Sequence, residues 1–192
     1  MADDLGGRAG EVHAAAHDVL AFWFDETPAS KWFARDDRLD HVIARRFGGL
    51  RDAVLENDAA GWDHDPDTLL AAIILLDQFS RNIHRGSPEA FAADGLALDL
   101  AHRALARSWD EAIAPERRAF LYMPLMHAED REEQRLSVDC FARLGNPDNL
   151  DFARQHRTVI DRFGRFPSRN AALGRVSTPA EQAYLSQPGA GW

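Results

Sequence analysis

From Leu69 to Leu76 this chain reads Leu-Leu-Ala-Ala-Ile-Ile-Leu-Leu, and Asp77-Gln78-Phe79-Ser80-Arg81-Asn82 follow without a break. A helix that is apolar almost all round must be covered on most sides, so the spacing predicts a buried helix from Leu69 to about Asn82. The run is far short of the roughly 20 apolar residues that span a bilayer. A buried helix that ends in Asp77, Arg81 and Arg85 needs firm partners for those charges, because an unpaired charge beside an apolar interior is costly.

The other apolar patterns also have helical rather than alternating spacing. Val12 to Phe24 predicts a first helix, broken by Asp25-Glu26-Thr27-Pro28. Asp36-Asp37 open a second, with Leu39, Val42, Ile43, Phe47, Leu50, Val54 and Leu55 on its apolar face. Asp67 is the expected N-cap of the buried helix. Ser87 and Pro88 are expected to start a fourth helix that runs to about Arg107. Pro115 opens a fifth, which Pro124 should kink or end. Asp130 to Leu144 reads as a sixth, stopped by Gly145-Asn146-Pro147, and Asn149 to Phe163 as a seventh, stopped by Gly164 and Pro167. Ser177-Thr178-Pro179 cap a short last helix. No stretch carries a convincing run of β-branched strand residues. The expectation is an all-α fold of seven to eight antiparallel helices packed as hairpins. It forms a single domain over 1–192, with loose termini at about 1–10 and 187–192.

The net charge of −9 argues against a nucleic-acid or anionic-membrane binder. Cys140 is the only cysteine, which excludes an intramolecular disulfide and a cysteine metal cluster. The opening Met1-Ala2-Asp3-Asp4 lacks the basic start of a signal peptide, so the expected location is the cytoplasm. Lys31 is the only lysine, and the segment from Arg154 to Arg175 holds six arginines. A guanidinium fork suits carboxylate or phosphate, so this local surplus is where an anion would be expected to bind.

One pattern is written twice. Asp77-Gln78-Phe79-Ser80-Arg81 with Arg85, and Asp161-Arg162-Phe163-Gly164-Arg165 with Arg169, share the form Asp-x-Phe-x-Arg-x-x-x-Arg. Asp77 and Arg81 are spaced to pair on a helix face, and Asp161 is spaced to bridge Arg157 and Arg165. Gly164 and Pro167 should carry Arg165, Arg169 and Asn170 onto a loop. If the two copies meet, Arg81, Asn82, Arg85, Arg165, Arg169 and Asn170 would line a pocket for a small phosphate- or carboxylate-bearing ligand. Asp77, Arg157 and Asp161 would stand behind them and orient the arginines. A separate element, His127-Ala128-Glu129-Asp130, offers an imidazole as acid or base with Glu129 or Asp130 to orient it. His156 is the other candidate proton carrier. No metal-ligand spacing and no Gly-rich phosphate loop is present, so no metal and no cofactor is expected.

Several blocks resemble one family in the same order. They are Val19-Leu20-Ala21-Phe22-Trp23-Phe24, Lys31-Trp32-Phe33, Leu75 to Asn82 with Arg85-Gly86, and Phe120 to Asp130. They continue with His156-Arg157, Arg162 to Asn170, Leu173-Gly174-Arg175 and Ser177-Thr178-Pro179. Together they resemble the bacterial family catalogued as domain of unknown function 924. The resemblance implies a tetratricopeptide-like helical fold and brings no established activity. Ser168 stands where that family often has His, and His84 where it often has an aromatic residue.

Three readings follow: an anion-binding pocket, an enzyme that uses His127 or His156 in that pocket, and a helical interaction module that holds a peptide carboxylate.

Overall fold

The computed structural model describes residues 2–190, with side chains from Gly10 onward. Eight helices are present among the described residues, counting 66–83 as one, and no strand. Helix α1 spans Ala2–Ala21 and continues through a π-helical turn, Phe22–Glu26; helix α2 spans Asp37–Glu56. Helix α3, residues 66–83, is α-helical over Pro66–Ile73, π-helical over Ile74–Phe79 and α-helical again over Ser80–Ile83. Helices α4 (Asp94–Ala106), α5 (Pro115–His127), α6 (Arg131–Leu144), α7 (Pro147–Phe163) and α8 (Pro179–Leu185) complete the order.

Helix α3 is the axis. Every residue from Thr68 to Ser80 is buried, as an apolar run without a solvent face requires. Helix α1 covers its first half and α2 its π-helical and last turns, while α4 and α5 close the remaining sides. Helix α6 packs on α5, and α7 packs on α6 and α5 as an outer layer. Connections of two or three residues, Gly145–Asn146 and Ala128–Asp130, fold these last three helices back on one another. Phe79 fixes one side of the axis through edge contacts with Phe22 and Trp23.

The helix ends follow from local chemistry. Asp36, Asp130 and Asn146 accept backbone N–H groups at the starts of α2, α6 and α7. Gly145 and Gly164 end α6 and α7 in the left-handed conformation, at φ 79° and 70°. Thr178 and Glu181 close a reciprocal capping box on α8.

Several boundaries differ from the sequence reading. Asp65, not Asp67, caps α3, because Pro66 occupies the first helical position and its missing N–H costs nothing there. Ser87-Pro88 start only a 3₁₀ turn, Pro88–Ala90, and α4 begins at Asp94. Pro124 lies inside α5, which continues to His127. The chain is helical from Ala2. At the other end, residues 187–189 form a turn, and residues 191–192 lie outside the described residues.

Leu75, at the centre of α3, is fully buried. Leu75→Ala should lower the free energy of unfolding by about 2–5 kcal/mol, whereas Val42→Ala, on an exposed face of α2, should stay within about 0.5 kcal/mol. Equilibrium urea unfolding checks both. Similar values for the two would contradict an axial α3.

Candidate functional site

The buried charge of α3 lies within its π-helical turn. Asp77 retains 1% of its side-chain exposure, and each of its carboxylate oxygens has a partner. His127 Nδ1 lies 2.7 Å from Oδ1, Arg81 Nη1 lies 3.0 Å from the same oxygen, and Gln78 Nε2 donates to Oδ2 at 2.5 Å. Arg81 Nη1 also donates to the Asp77 carbonyl, at 2.9 Å. Burial acts to raise the Asp77 pKa, but Arg81 and His127 overcome it and hold the group well below the ordinary carboxylate range. Asp77 is therefore an anion in the middle of the protein. Since an ionised carboxylate only accepts, His127 Nδ1 carries the proton between them, and the lone pair of the neutral ring sits on Nε2.

His127 is the last residue of α5, and its backbone is held from two directions. Gln134, wholly buried in α6, donates through Nε2 to the carbonyls of Met126 and Ala128, at 2.7 and 2.9 Å. Arg169 Nη2 donates to the His127 carbonyl at 2.8 Å. The imidazole keeps 15% of its surface exposed, and Nε2 has no hydrogen-bond partner among the described residues. The His127 pKa is lowered, chiefly by burial; Asp77 opposes the shift, and the Arg81 and Arg169 cations reinforce it. His156 stands beside it, with ring centroids 6.2 Å apart. Its Nδ1 lies 2.8 Å from the Phe152 carbonyl. Burial, then His127, pushes the His156 pKa down to about 3.

Two arginines, one from each copy of the doubled pattern, meet at one carboxylate. Asp94, in the first turn of α4, accepts from Arg81 Nη1 and Nη2 at 2.9 and 3.0 Å and from Arg169 Nη1 at 3.1 Å. The Arg169 guanidinium lies 4.7 Å from the centroids of both Phe91 and Phe166. Burial, then Arg81, lowers its pKa to about 10, so it remains a cation at neutral pH. Asp77 and Asp94 thus balance Arg81 and Arg169.

The other expected site residues lie at separate carboxylates. Asn82 and Arg85 both donate to Asp40 of α2, at distances from 2.7 to 3.0 Å. Arg165 makes a bidentate pair with Glu181, at 2.7 and 2.9 Å, and Asn170 Nδ2 reaches the same carboxylate at 3.4 Å. Asp161 does not bridge Arg157 and Arg165. It pairs with Arg157 on an exposed face of α7, because the left-handed turn at Gly164 carries Arg165 towards Glu181. Neither Glu129 nor Asp130 orients His127. Glu129 accepts from Arg175 at 2.6 and 2.9 Å and from the Phe166 amide at 2.7 Å, while Asp130 caps α6. The extended backbone at Ala128 turns both carboxylates away, and the ring falls to Asp77, fifty positions earlier.

Asp94, Gln78, Asp40, Gln134 and Glu181 are the partners that the sequence reading did not name. Only Glu181 carries a local sign, as the third residue after the N-cap Thr178. Two surface depressions, of about 610 and 330 Å³, lie elsewhere. One is lined by Arg162, Phe163, Arg165, Thr178, Ala180 and Glu181, the other by residues of α1 and the start of α3 together with Asp25 and Arg117. Neither reaches His127. Among the described residues no group of three or more His, Cys, Asp or Glu is placed to hold a metal.

The family described as bacterial protein of unknown function (DUF924) matches residues 19–189. The chain belongs to this family. A solved structure of a protein of unknown function from Agrobacterium tumefaciens is 38% identical, covers 91% of this chain and 98% of its own, and superposes with a TM-score of 0.86. No curated protein matches. His84 follows α3, with its Nε2 buried and lacking a partner among the described residues. Ser168 precedes Arg169 in the 3₁₀ turn Pro167–Arg169.

The two imidazoles give a signature in pH. Both pKa values are lowered in the fold, so between those values and the unfolded value of about 6.5 the unfolded chain binds more protons. Their contribution to stability is therefore complete above about pH 6.5 and is lost as pH falls towards about 3 for His156. Between about pH 6.5 and 5 few carboxylates titrate, so His156→Gln should flatten the fall in denaturant-measured stability over that interval. An unchanged slope would show that His156 is not held neutral.

Proposed function

We propose that this protein is an acid–base enzyme in which His127 moves the proton. The observation that carries the reading is the 2.7 Å contact between His127 Nδ1 and the fully buried Asp77 carboxylate. A carboxylate so placed fixes the tautomer and the ring orientation, and it stabilises the imidazolium formed when Nε2 takes a proton. Arg81 holds that carboxylate in the ionised state. Burial and the two arginines keep the resting ring neutral. His127 is thus a base before proton transfer and a readily discharged acid after it.

The proposed reaction class is proton abstraction from, or water activation towards, a small molecule bound against Nε2. His156 offers ring surface beside His127, with Phe166 from the chain after Gly164 packed edge-on against it. The anion-cradle reading draws less support. Arg81, Arg85, Arg165 and Arg169 each already hold a carboxylate of the chain, so an incoming anion would have to displace Asp94, Asp40 or Glu181.

The test is a titration of histidine-labelled protein with mixtures of small carbonyl, ester and phosphoester compounds, followed by NMR. A substrate should shift the His127 ring signals, and its turnover should fall by about 10²–10⁴-fold in His127→Gln while surviving in Arg85→Gln. Turnover that persists without the His127 imidazole would exclude the proposal.

A further inference from the structure

The segment after Gly164 is attached to the molecule in two chemically different ways. To its own helix it is attached by apolar packing: Val159, Ile160 and Phe166 form a small buried cluster separate from the main core, with Phe163 and Tyr184 against it. To α4 and to the turn between α5 and α6 it is attached through charged groups. Arg169 reaches Asp94 at 3.1 Å and the His127 carbonyl at 2.8 Å. The Phe166 amide and Arg175 both reach Glu129, at 2.6 to 2.9 Å.

Within itself the segment is braced. Arg165 clamps Glu181 and the Val176 carbonyl. Asn170 Nδ2 donates to Ser177 Oγ at 3.1 Å, and Glu181 accepts the Thr178 amide at 2.7 Å within the capping box. These bonds tie residues 165–181 into one unit. Its junction with α7 is Gly164, at φ 70°, a backbone state that glycine enters and leaves without steric cost.

We propose that residues 165–185 are a strap that pivots at Gly164 and opens over His127, with Glu129 as its latch. Phe166 packs edge-on against His156 at 5.5 Å, and Arg169 lies on the His127 backbone. Lifting the strap therefore uncovers both imidazoles together. Closed, it supplies Arg169, whose charge helps keep His127 neutral. Glu129 is well suited to latch it: two side-chain bonds from Arg175 and one backbone bond from Phe166 converge on a carboxylate two residues beyond His127. Opening breaks these ties, the two made by Arg169 and the packing of Phe166 and Tyr184 on α7, while leaving α3 and the main core intact, so it is a local event below global unfolding. The proposal rests on the proton-transfer reading only for the purpose of opening; the motion stands on the attachments themselves.

Hydrogen exchange of the full chain, compared with Glu129→Gln and Arg175→Gln, tests it. Amides of 165–185 should exchange about tenfold or more faster in either variant, with those of 68–80 unchanged. Carbethoxylation of His127 by diethyl pyrocarbonate, followed by mass spectrometry, should speed up in the same variants. Exchange of 165–185 at the parent rate in both variants would overturn the latch. Exchange only in step with 68–80 would show global unfolding instead of a strap. Faster strap exchange with unchanged His127 labelling would overturn the claim that it covers the imidazole. None of these readouts depends on whether His127 performs chemistry.

Discussion

A carboxylate lies at the middle of the most buried helix in this protein, and the arrangement around it follows from the need to keep that charge partnered. Asp77 belongs to an axis whose neighbours are Leu, Ile, Ala and Phe, where an unpaired anion would be prohibitively costly. Three donors meet it: one from the next turn of its own helix, one from the adjacent Gln78, and one from the end of α5. The last of these makes the charge chemically interesting. An arginine alone would neutralise Asp77, whereas an imidazole on the same oxygen gains a fixed tautomer and a free lone pair. The π-helical turn at Ile74–Phe79 is the local irregularity at this point, and such turns recur at functional sites.

Support for the site extends outwards in shells of the fold. Helix α5 delivers His127, and α6 holds the turn through Gln134, whose amide binds carbonyls on either side of the histidine. Helix α4 contributes Asp94, which joins Arg81 of α3 to Arg169 of the C-terminal segment. Elements remote in sequence are thus tied at one end of the axis by charge-assisted hydrogen bonds, which are stronger and more directional than neutral ones. Apolar packing determines which helices are neighbours; the polar network determines where His127 sits among them.

Much of the architecture was legible because it depends on short-range rules. The fully apolar run from Leu69 to Leu76 announced the axis, and Asp36, Gly145, Gly164 and Thr178 marked helix ends through backbone chemistry that acts over a few residues. The misses have two causes, local competition at helix starts and pairing across helices. Pro66 shifted the cap of α3 to Asp65, and the start at Ser87-Pro88 closed after one 3₁₀ turn. The doubled Asp-x-Phe-x-Arg pattern pointed to Arg81 and Arg169, which do meet, but at Asp94, a residue with no local sign of that role. Spacing alone made Asp161 look equivalent to Asp77, yet one lies on an exposed face and the other in the core. Glu129 and Asp130 drew attention by adjacency to His127, while its true partner came from another helix. Side-chain pairing across helices is a property of the packed structure, which a single sequence does not encode in its spacing.

His127 rests as a neutral imidazole with its proton on Nδ1, directed at Asp77. The ¹⁵N resonances of the ring measure this directly at neutral pH, since protonated and unprotonated ring nitrogens resonate in well-separated regions. The expected result is a protonated Nδ1 and an unprotonated Nε2 for His127, with the Nδ1 signal perturbed in Asp77→Asn. A His127 ring protonated on both nitrogens at neutral pH, or carrying its proton on Nε2, would contradict it.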